Sequence, residues 1–508
     1  MKFTAELVHK CSRQLSSCCS NIINSQVRSC HTQAAPTIPP CSFTPPPYKG
    51  PSLDEMKEAR KTRLTPALFT FYEEPLIIHT GHQQYLYDDD NKRYLDLFGG
   101  IVTVSVGHCH PKVVEKMQRQ AGRLWHTSNI YLNPTIHDYS KALTDTLPGD
   151  LKVAYIVNSG SEANDLALLM ARLHTQRFDV VTMRNSYHGA SPYTMGLTGS
   201  GKSKFPLANG FGVTHTMNPD PYRGPWGGYR DSPVQSLRAG EATLEEGGTV
   251  CSSSRKYLQQ FQETLDYCVP QGKPAAFFAE SIQGVGATVQ YPLGFIKMAF
   301  EMVRDRGGLC VSDEVQTGFG RTGEHFWGFE GHGVIPDIVT MAKGMGNGYP
   351  LAAVVTTPTI AQTMAKAFHF NTYGGNALGS AVGLAVLETM LEDNVQEVSR
   401  DVGTKFILGF GKLRDEFDSI GDVRGKGLMI GVEMVESQGC HTPMSLARFS
   451  AIWENCRIMG ILLGKGGFHG NVFRIKPPMC INQADVTFAL EVFRVALTTD
   501  RELHCKQQ

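Results

Sequence analysis

Residues 153–164 read Val153-Ala154-Tyr155-Ile156-Val157-Asn158-Ser159-Gly160-Ser161-Glu162-Ala163-Asn164, and a helical pattern of apolar residues continues over 161–174. An unbroken apolar run, then a polar turn with glycine, then an amphipathic helix is the signature of a buried strand feeding a crossover helix. The unit recurs. Val180–Met183 is a second apolar run, Ala275–Ala279 is followed by a helical pattern over 294–306, and Leu309–Ser312 and Ile338–Met341 complete the series. Strands alternating with helices predict an α/β fold with a mostly parallel central sheet flanked by helices, and ligands in such sheets gather beyond the carboxyl ends of the strands.

The residues that end these runs are therefore the candidates for chemistry. Strand 153–157 leads into Gly160-Ser161, where free amides and the positive end of a helix favour a phosphate or carboxylate. Alone, the same motif reads more readily as ordinary helix capping by Ser159 or Ser161. Strand 309–312 ends at Asp313, a carboxylate that needs a partner if it is buried. Strand 338–341 ends at Ala342-Lys343, followed by Gly344-Met345-Gly346-Asn347-Gly348. A lysine between apolar residues and a Gly-rich turn has reason to be desolvated and partly neutral, although by itself a structural salt bridge explains it as well. Together the parts suit pyridoxal phosphate, which needs an amine for its aldehyde, a carboxylate for its ring nitrogen, an anion site and a ring to stack on. Lys343, Asp313, Gly160-Ser161 and Tyr187 offer one of each.

Bulk properties narrow the alternatives. The 508 residues carry 48 basic and 48 acidic side chains, with 41% hydrophobic and 19% charged residues. A balanced charge argues against a nucleic-acid or membrane-surface protein. The chain also lacks the ~18 consecutive apolar residues that a membrane span requires. Of 13 cysteines, Cys11, Cys18, Cys19, Cys30 and Cys41 lie near the start and the rest are scattered, which fits free thiols in a reducing compartment. His108 and His110 flank a cysteine without a third ligand, so no metal is expected.

Residues 1–40 are basic, Ser-rich and nearly free of acids, the profile of a mitochondrial transit peptide, with an inert N-terminal tail as the alternative. The Pro-rich stretch Pro36–Pro51 reads as a linker. The expected organisation is a removed transit segment over 1–40, then a linker and a segment packing with the small domain over 41–94. A large cofactor-binding domain over 95–365 and a small C-terminal domain over 366–508 follow. Residues 199–255, rich in Gly, Ser and Pro, read as an inserted surface excursion. Helical patterns at 380–393 and 398–417 belong to the C-terminal part.

The motifs Asn158–Asn164, Asp313-Glu314-Val315-Gln316-Thr317-Gly318, Lys343-Gly344 and Thr372-Tyr373-Gly374-Gly375-Asn376 resemble, in order and spacing, the class III aminotransferases of the fold-type I superfamily, over about residues 60–500. Further stretches, among them Gly107–Pro111 and Arg223–Gly228, resemble a mitochondrial branch of that family. The resemblance implies that Lys343 carries the cofactor and shuttles the substrate proton, that Asp313 faces the ring nitrogen, and that Tyr187 stacks on the ring beside His188. It implies that Gly160 and Ser161 hold the phosphate, that Gln316 contacts the ring hydroxyl, and that Thr372 reaches the phosphate of a neighbouring subunit, so that a homodimer or homotetramer shares its sites. Arg474, in Phe473-Arg474-Ile475-Lys476-Pro477-Pro478, would take the substrate carboxylate in a bidentate fork.

Departures from the family bear on substrate. Ala190 stands where many members carry an arginine, Val285 where many carry a glutamate that shields the carboxylate-binding arginine, and Ile101 where ornithine-type members have an aromatic residue. Without a second cation there is no anchor for a distal carboxylate. The expected substrates are short: alanine, β-alanine or 3-aminoisobutyrate as donors, with glyoxylate or pyruvate as acceptors, in the mitochondrial matrix. Ser281 replaces a customary proline without evident meaning. Two other readings compete: a pyridoxal-phosphate phospholyase acting on phosphorylated amino alcohols, and a non-catalytic cofactor-binding scaffold, against which the intact set of Lys343, Asp313, Tyr187 and Arg474 argues.

Overall fold

A computed structural model describes residues 35–505, apart from 207–209, 237, 240–242, 246 and 438. The transit-peptide reading falls mainly on residues 1–34, outside the described residues. The Pro-rich stretch expected to be a linker packs against the fold. Ile38, Cys41 and Phe43 lie on the main core, and the Phe43 ring stacks on His82 with centroids 4.2 Å apart. Proline fixes an extended backbone without needing amide partners, so such a segment can lie along a surface as readily as it can link.

A first small sheet is built from β1 (Ile78–His82), β2 (Tyr85–Asp88) and β3 (Arg93–Asp96). The central sheet takes β4 (Val153–Val157), β5 (Val180–Met183), β6 (Val213–Thr216), β7 (Ala276–Glu280), β8 (Leu309–Asp313), β9 (Ile338–Met341) and β10 (Ala352–Thr356) in the order β4-β10-β9-β8-β7-β5-β6. Every adjacent pair from β9 to β6 is parallel, while β10 runs antiparallel to both of its neighbours. All strands but β10 therefore point the same way, and the carboxyl ends of β4, β5, β7, β8 and β9 share one edge. Strand β6 lies inside the segment read as a surface excursion. Its four residues, Val-Thr-His-Thr, are too short and too polar to stand out as an apolar run, but β-branched residues suit an edge position.

The strand interiors show why their sequences are uniformly apolar. Val180, Ala276, Phe278 and Val311 pack with Leu166, Ala167 and Met170 of the helix Gly160–Thr175 on one face. Their neighbours Val181, Phe277, Ala279 and Cys310 pack with the helices Ser252–Cys268 and Phe295–Asp305 on the other. Alternate side chains leave opposite faces of a strand, so a sheet covered on both sides needs apolar residues at every position. Each large side chain so buried contributes about 1.5–3 kcal/mol.

A third sheet, in the order β11-β12-β15-β14, comprises β11 (Ile420–Lys426), β12 (Met429–Met434), β14 (Gly464–Gly466) and β15 (Val472–Ile475), while β13 (Ile461–Leu462) joins the first sheet beside β3. The helical patterns noted near 380 and 398 are the helices Ala377–Glu392 and Val395–Glu416. Among the described residues no helix is long and apolar enough to cross a membrane.

Candidate active site

At the shared strand edge a cavity of about 160 Å³ is lined by Gly160, Ser161, Asn164, Tyr187, His188, Glu280, Asp313, Gln316 and Lys343 among others. Asp313 is the last residue of β8 and is buried. Its Oδ2 accepts from Nδ1 of His188 and from Nδ2 of Asn164, both at 2.8 Å, and its Oδ1 accepts from the amide of Val315 at 3.1 Å. The carboxylate is thus compensated by directed donors, as burial demands. The Nε2 of His188 lies 3.2 Å from the Thr182 hydroxyl. Asn164, one turn into the helix that follows β4, also donates to the carbonyl of His188 and accepts from the Thr340 hydroxyl on β9.

Lys343 follows β9 in a short 3-10 turn, with φ at +47°. Two contacts hold that unusual backbone. The Ser105 hydroxyl donates to the carbonyl of Gly344 at 2.7 Å, and Asn347 takes the amides of Ser105 and Val106 on its side-chain oxygen. Burial pushes the Lys343 amine below its ordinary range. Asp313 and Glu280 act against that push, and the Arg474 cation adds to it. An amine with a lowered pKa is a nucleophile and a base near neutral pH.

The helix Gly160–Thr175 opens onto the cavity. Ser159 caps it, accepting from the amide of Glu162 at 3.2 Å. The Ser161 hydroxyl accepts from the amide of Ala190. Gly189 makes this possible: its φ is +129°, and a Cβ there would fall 2.6 Å from Oγ of Ser161 and from Oγ1 of Thr194. Glycine alone lets the two segments meet and leaves amides free at a helix start, an anion site. Tyr187 lines the same cavity and its own amide donates to Glu280 at 3.0 Å. Glu280, at the end of β7, also accepts from the amide of Gly284. Burial raises its pKa, with His188 opposing.

Arg474 lies on β15 and adjoins this cavity through Gln316, whose Oε1 accepts from its Nη2 at 3.3 Å. Burial lowers the guanidinium to about 10, with Glu280 the opposing charge. Its Cζ sits 5.4 Å from the Phe98 ring centroid. Val285 offers Arg474 no carboxylate. Ile101 and Thr372 are not brought to the cavity lining. Ile101 is 46% exposed on a left-handed turn in which Gly99, Gly100, Ile101 and Val102 have φ of +54°, +59°, +65° and +68°. For the two β-branched residues that handedness costs about 1–2 kcal/mol each. Thr372 is exposed beside Asn371, which bonds Asn158 at 3.0 Å.

Some of the residues that shape the site had no signal in the sequence reading. Ser281, without meaning there, donates to Glu314, a fully buried carboxylate that also accepts from Ser312, Thr317 and the amides of Gly328 and Phe329. Lys476, fully buried, donates to the carbonyl of Gly284 at 3.2 Å and to Oε1 of Gln316 at 3.1 Å. His108 and His110 are separate, paired with Asp96 and Asp393. Trp125 is exposed, while Trp226 packs edge-on against Tyr257.

Comparison with known proteins gives a consistent outcome. The family model described as aminotransferase class-III matches residues 71–497. The mitochondrial alanine–glyoxylate aminotransferase 2 of Homo sapiens is 52% identical over 481 residues, covering 94% of this chain and 92% of that protein. The mitochondrial alanine–glyoxylate aminotransferase 2 homolog 2 of Arabidopsis thaliana is 45% identical over 461 residues, 91% of each chain. Among solved structures, an (S)-enantioselective omega-transaminase from Thermomicrobium roseum is similar with a TM-score of 0.78 at 27% identity, over 89% of this chain and 100% of that one. A phospholyase from Arthrobacter, in complex with phosphoethanolamine, has a TM-score of 0.76 at 29% identity, over 88% and 100%.

Proposed function

The chain belongs to the class-III aminotransferases, and from that premise we propose that it exchanges amino groups between short amino acids and short 2-oxo acids with pyridoxal phosphate as the carrier. The preferred pairs are alanine, β-alanine or 3-aminoisobutyrate with glyoxylate or pyruvate, in the mitochondrial matrix. The observation that carries this reading is the joint placement of Lys343, the Asp313–His188–Asn164 cluster and the Ser161 anion site around one cavity.

Pyridoxal phosphate suits the residues present. The amine of Lys343 has no hydrogen-bond or ion-pair partner among the described residues, the backbone at Gly189 leaves no room for a side chain beside Ser161, and a fully compensated carboxylate lies in the same cavity. Lys343 would hold the aldehyde carbon, Asp313 the ring nitrogen, Tyr187 the ring face with His188 behind it, Gln316 the ring hydroxyl, and Gly160 with Ser161 the phosphate. When bound, the cofactor supplies an electron sink that allows a proton to leave the amine-bearing carbon of the substrate.

The chain's own residues do the rest. Lys343 takes that proton on Nζ and returns it elsewhere, a task for which its lowered basicity is matched. His188 and Asn164 hold Asp313 in position through hydrogen bonds to its Oδ2. Arg474 receives the substrate carboxylate. With Ala190 and Val285 in place of charged residues, no second anchor favours a longer diacid. The exposed Thr372 completes the phosphate site of a second copy, so the working unit is a homodimer or a homotetramer with shared sites. The large domain over 95–365 then holds the cofactor, and the small domain over 366–508 presents Arg474.

A donor–acceptor panel on the purified protein tests this. Alanine is expected to change the visible spectrum and glyoxylate to restore it. Absence of any change with alanine, β-alanine and 3-aminoisobutyrate, together with phosphate release from phosphoethanolamine, would replace transamination by the lyase reaction.

A further inference from the structure

Arg474 is a buried cation short of acceptors. Its Nε has no hydrogen-bond partner among the described residues, and its Nη2 bonds an amide oxygen, Oε1 of Gln316, at a long 3.3 Å. That oxygen is shared. Lys476, two positions along the chain, donates to it at 3.1 Å and to the carbonyl of Gly284 at 3.2 Å. Both lone pairs of the Gln316 oxygen are therefore engaged by these two donors. Gln316 is pressed onto the Gly284 turn, where a Cβ would fall 2.3 Å from its Cδ. Glu280, the nearby acid, already accepts from the amides of Tyr187 and Gly284.

Resting on the transaminase reading above, we propose that Lys476 is a specificity-determining residue, which by sharing the Gln316 oxygen and holding the Gly284 turn leaves Arg474 in need of an acceptor that only a substrate carboxylate supplies. A carboxylate offers two charged oxygens to the guanidinium fork, and no neutral group in the same place does so. Burial pushes the Lys476 amine well down, with Arg474, Lys343 and Arg321 adding to the push and Glu280 opposing it.

The test compares holoenzyme with Lys476, Lys476→Met and Lys476→Arg. Two readouts are taken: the Kd of propanoate by calorimetry, and KM for alanine against KM for 2-aminopropane, a donor without a carboxylate. With methionine, Gln316 Oε1 is released to Arg474, so propanoate binding and the KM for alanine should each weaken by about tenfold, equivalent to 1.4 kcal/mol. The amine donor should gain relative to alanine, and Lys476→Arg should recover most of the loss. An unchanged propanoate Kd, or equal changes for both donors, overturns the proposal. If Lys476→Met does not fold, Lys476→Gln, which keeps one donor group but no charge, is judged by the same criteria. Failure of the unmodified enzyme with every amino donor would instead refute the transaminase reading, while propanoate binding still reports on Lys476.

Discussion

Asn164 Nδ2 donates to Asp313 Oδ2 at 2.8 Å, and this bond ties the helix after β4 to the end of β8. Asn164 is itself fixed by the Thr340 hydroxyl from β9. One side chain thus sets the spacing of the three strand ends around the cofactor cavity. Asn164→Ala is expected to leave a buried carboxylate one donor short, costing about 1–3 kcal/mol of stability. Chemical denaturation reads the stability loss, and steady-state kinetics should show a fall in kcat larger than any change in KM. A variant as stable as the parent would show the bond to be dispensable.

Lys343→Ala should abolish turnover, with residual activity below about one thousandth, because no other amine lines the cavity among the described residues. The readout is single-turnover formation of oxo acid from alanine. Retained turnover would remove Lys343 from its assigned role.

The lowered basicity of Lys343 also has a stability signature. Between its depressed folded value and the ordinary amine value of the unfolded chain, the unfolded chain binds the extra proton, so stability of the cofactor-free protein rises with pH in that window. Lys343→Met removes this contribution and should flatten the rise measured by urea unfolding as pH climbs toward the ordinary lysine value of about 10.4. Parallel slopes for the two proteins would contradict the shift.

Gly189→Ala is expected to weaken cofactor binding by at least about tenfold, since a methyl group 2.6 Å from Oγ of Ser161 displaces the anion site, and the backbone there has φ of +129°. Dialysis equilibrium with pyridoxal phosphate measures it. Ala190→Gly, at the next position, should bind normally.

Arg474→Lys keeps the charge and loses the fork. KM for alanine should rise by about ten- to one-hundredfold while an amine donor without a carboxylate is little affected. Equal losses for both donors would mean that Arg474 supports the fold and not the carboxylate.

Most strand ends were readable in the sequence because a buried sheet writes itself as uninterrupted apolar runs, and the polar residue after each run then declares its place. That reasoning located Lys343, Asp313 and Ser161. It misses β6, whose Val213–Thr216 has three polar residues in four, and it reads Pro36–Pro51 as a linker although Phe43 stacks on His82. The role of Asn164 escaped because its partner lies 149 positions away, and no local pattern encodes such a distance. Lys476 escaped for a similar reason: its neighbours Gly284 and Gln316 come from the carboxyl-end loops of other strands. Local rules find groups that terminate elements, and they are blind to groups defined by what folds against them.

The reversed direction of β10 has a mechanical consequence. Parallel neighbours need a long crossover, usually through a helix, so the loops that carry Gly160 and Asp313 are each the start of a lengthy excursion. Lys343 instead lies in the bend between β9 and β10, which pair along Ala353–Met341 to Thr356–Ile338. Residues 342–351 form an arch with both feet set in the same sheet, and the Ser105 and Asn347 bonds brace it from the side. The reactive amine therefore rides on a short loop anchored at both ends in one sheet and tied at its side to Ser105 and Val106.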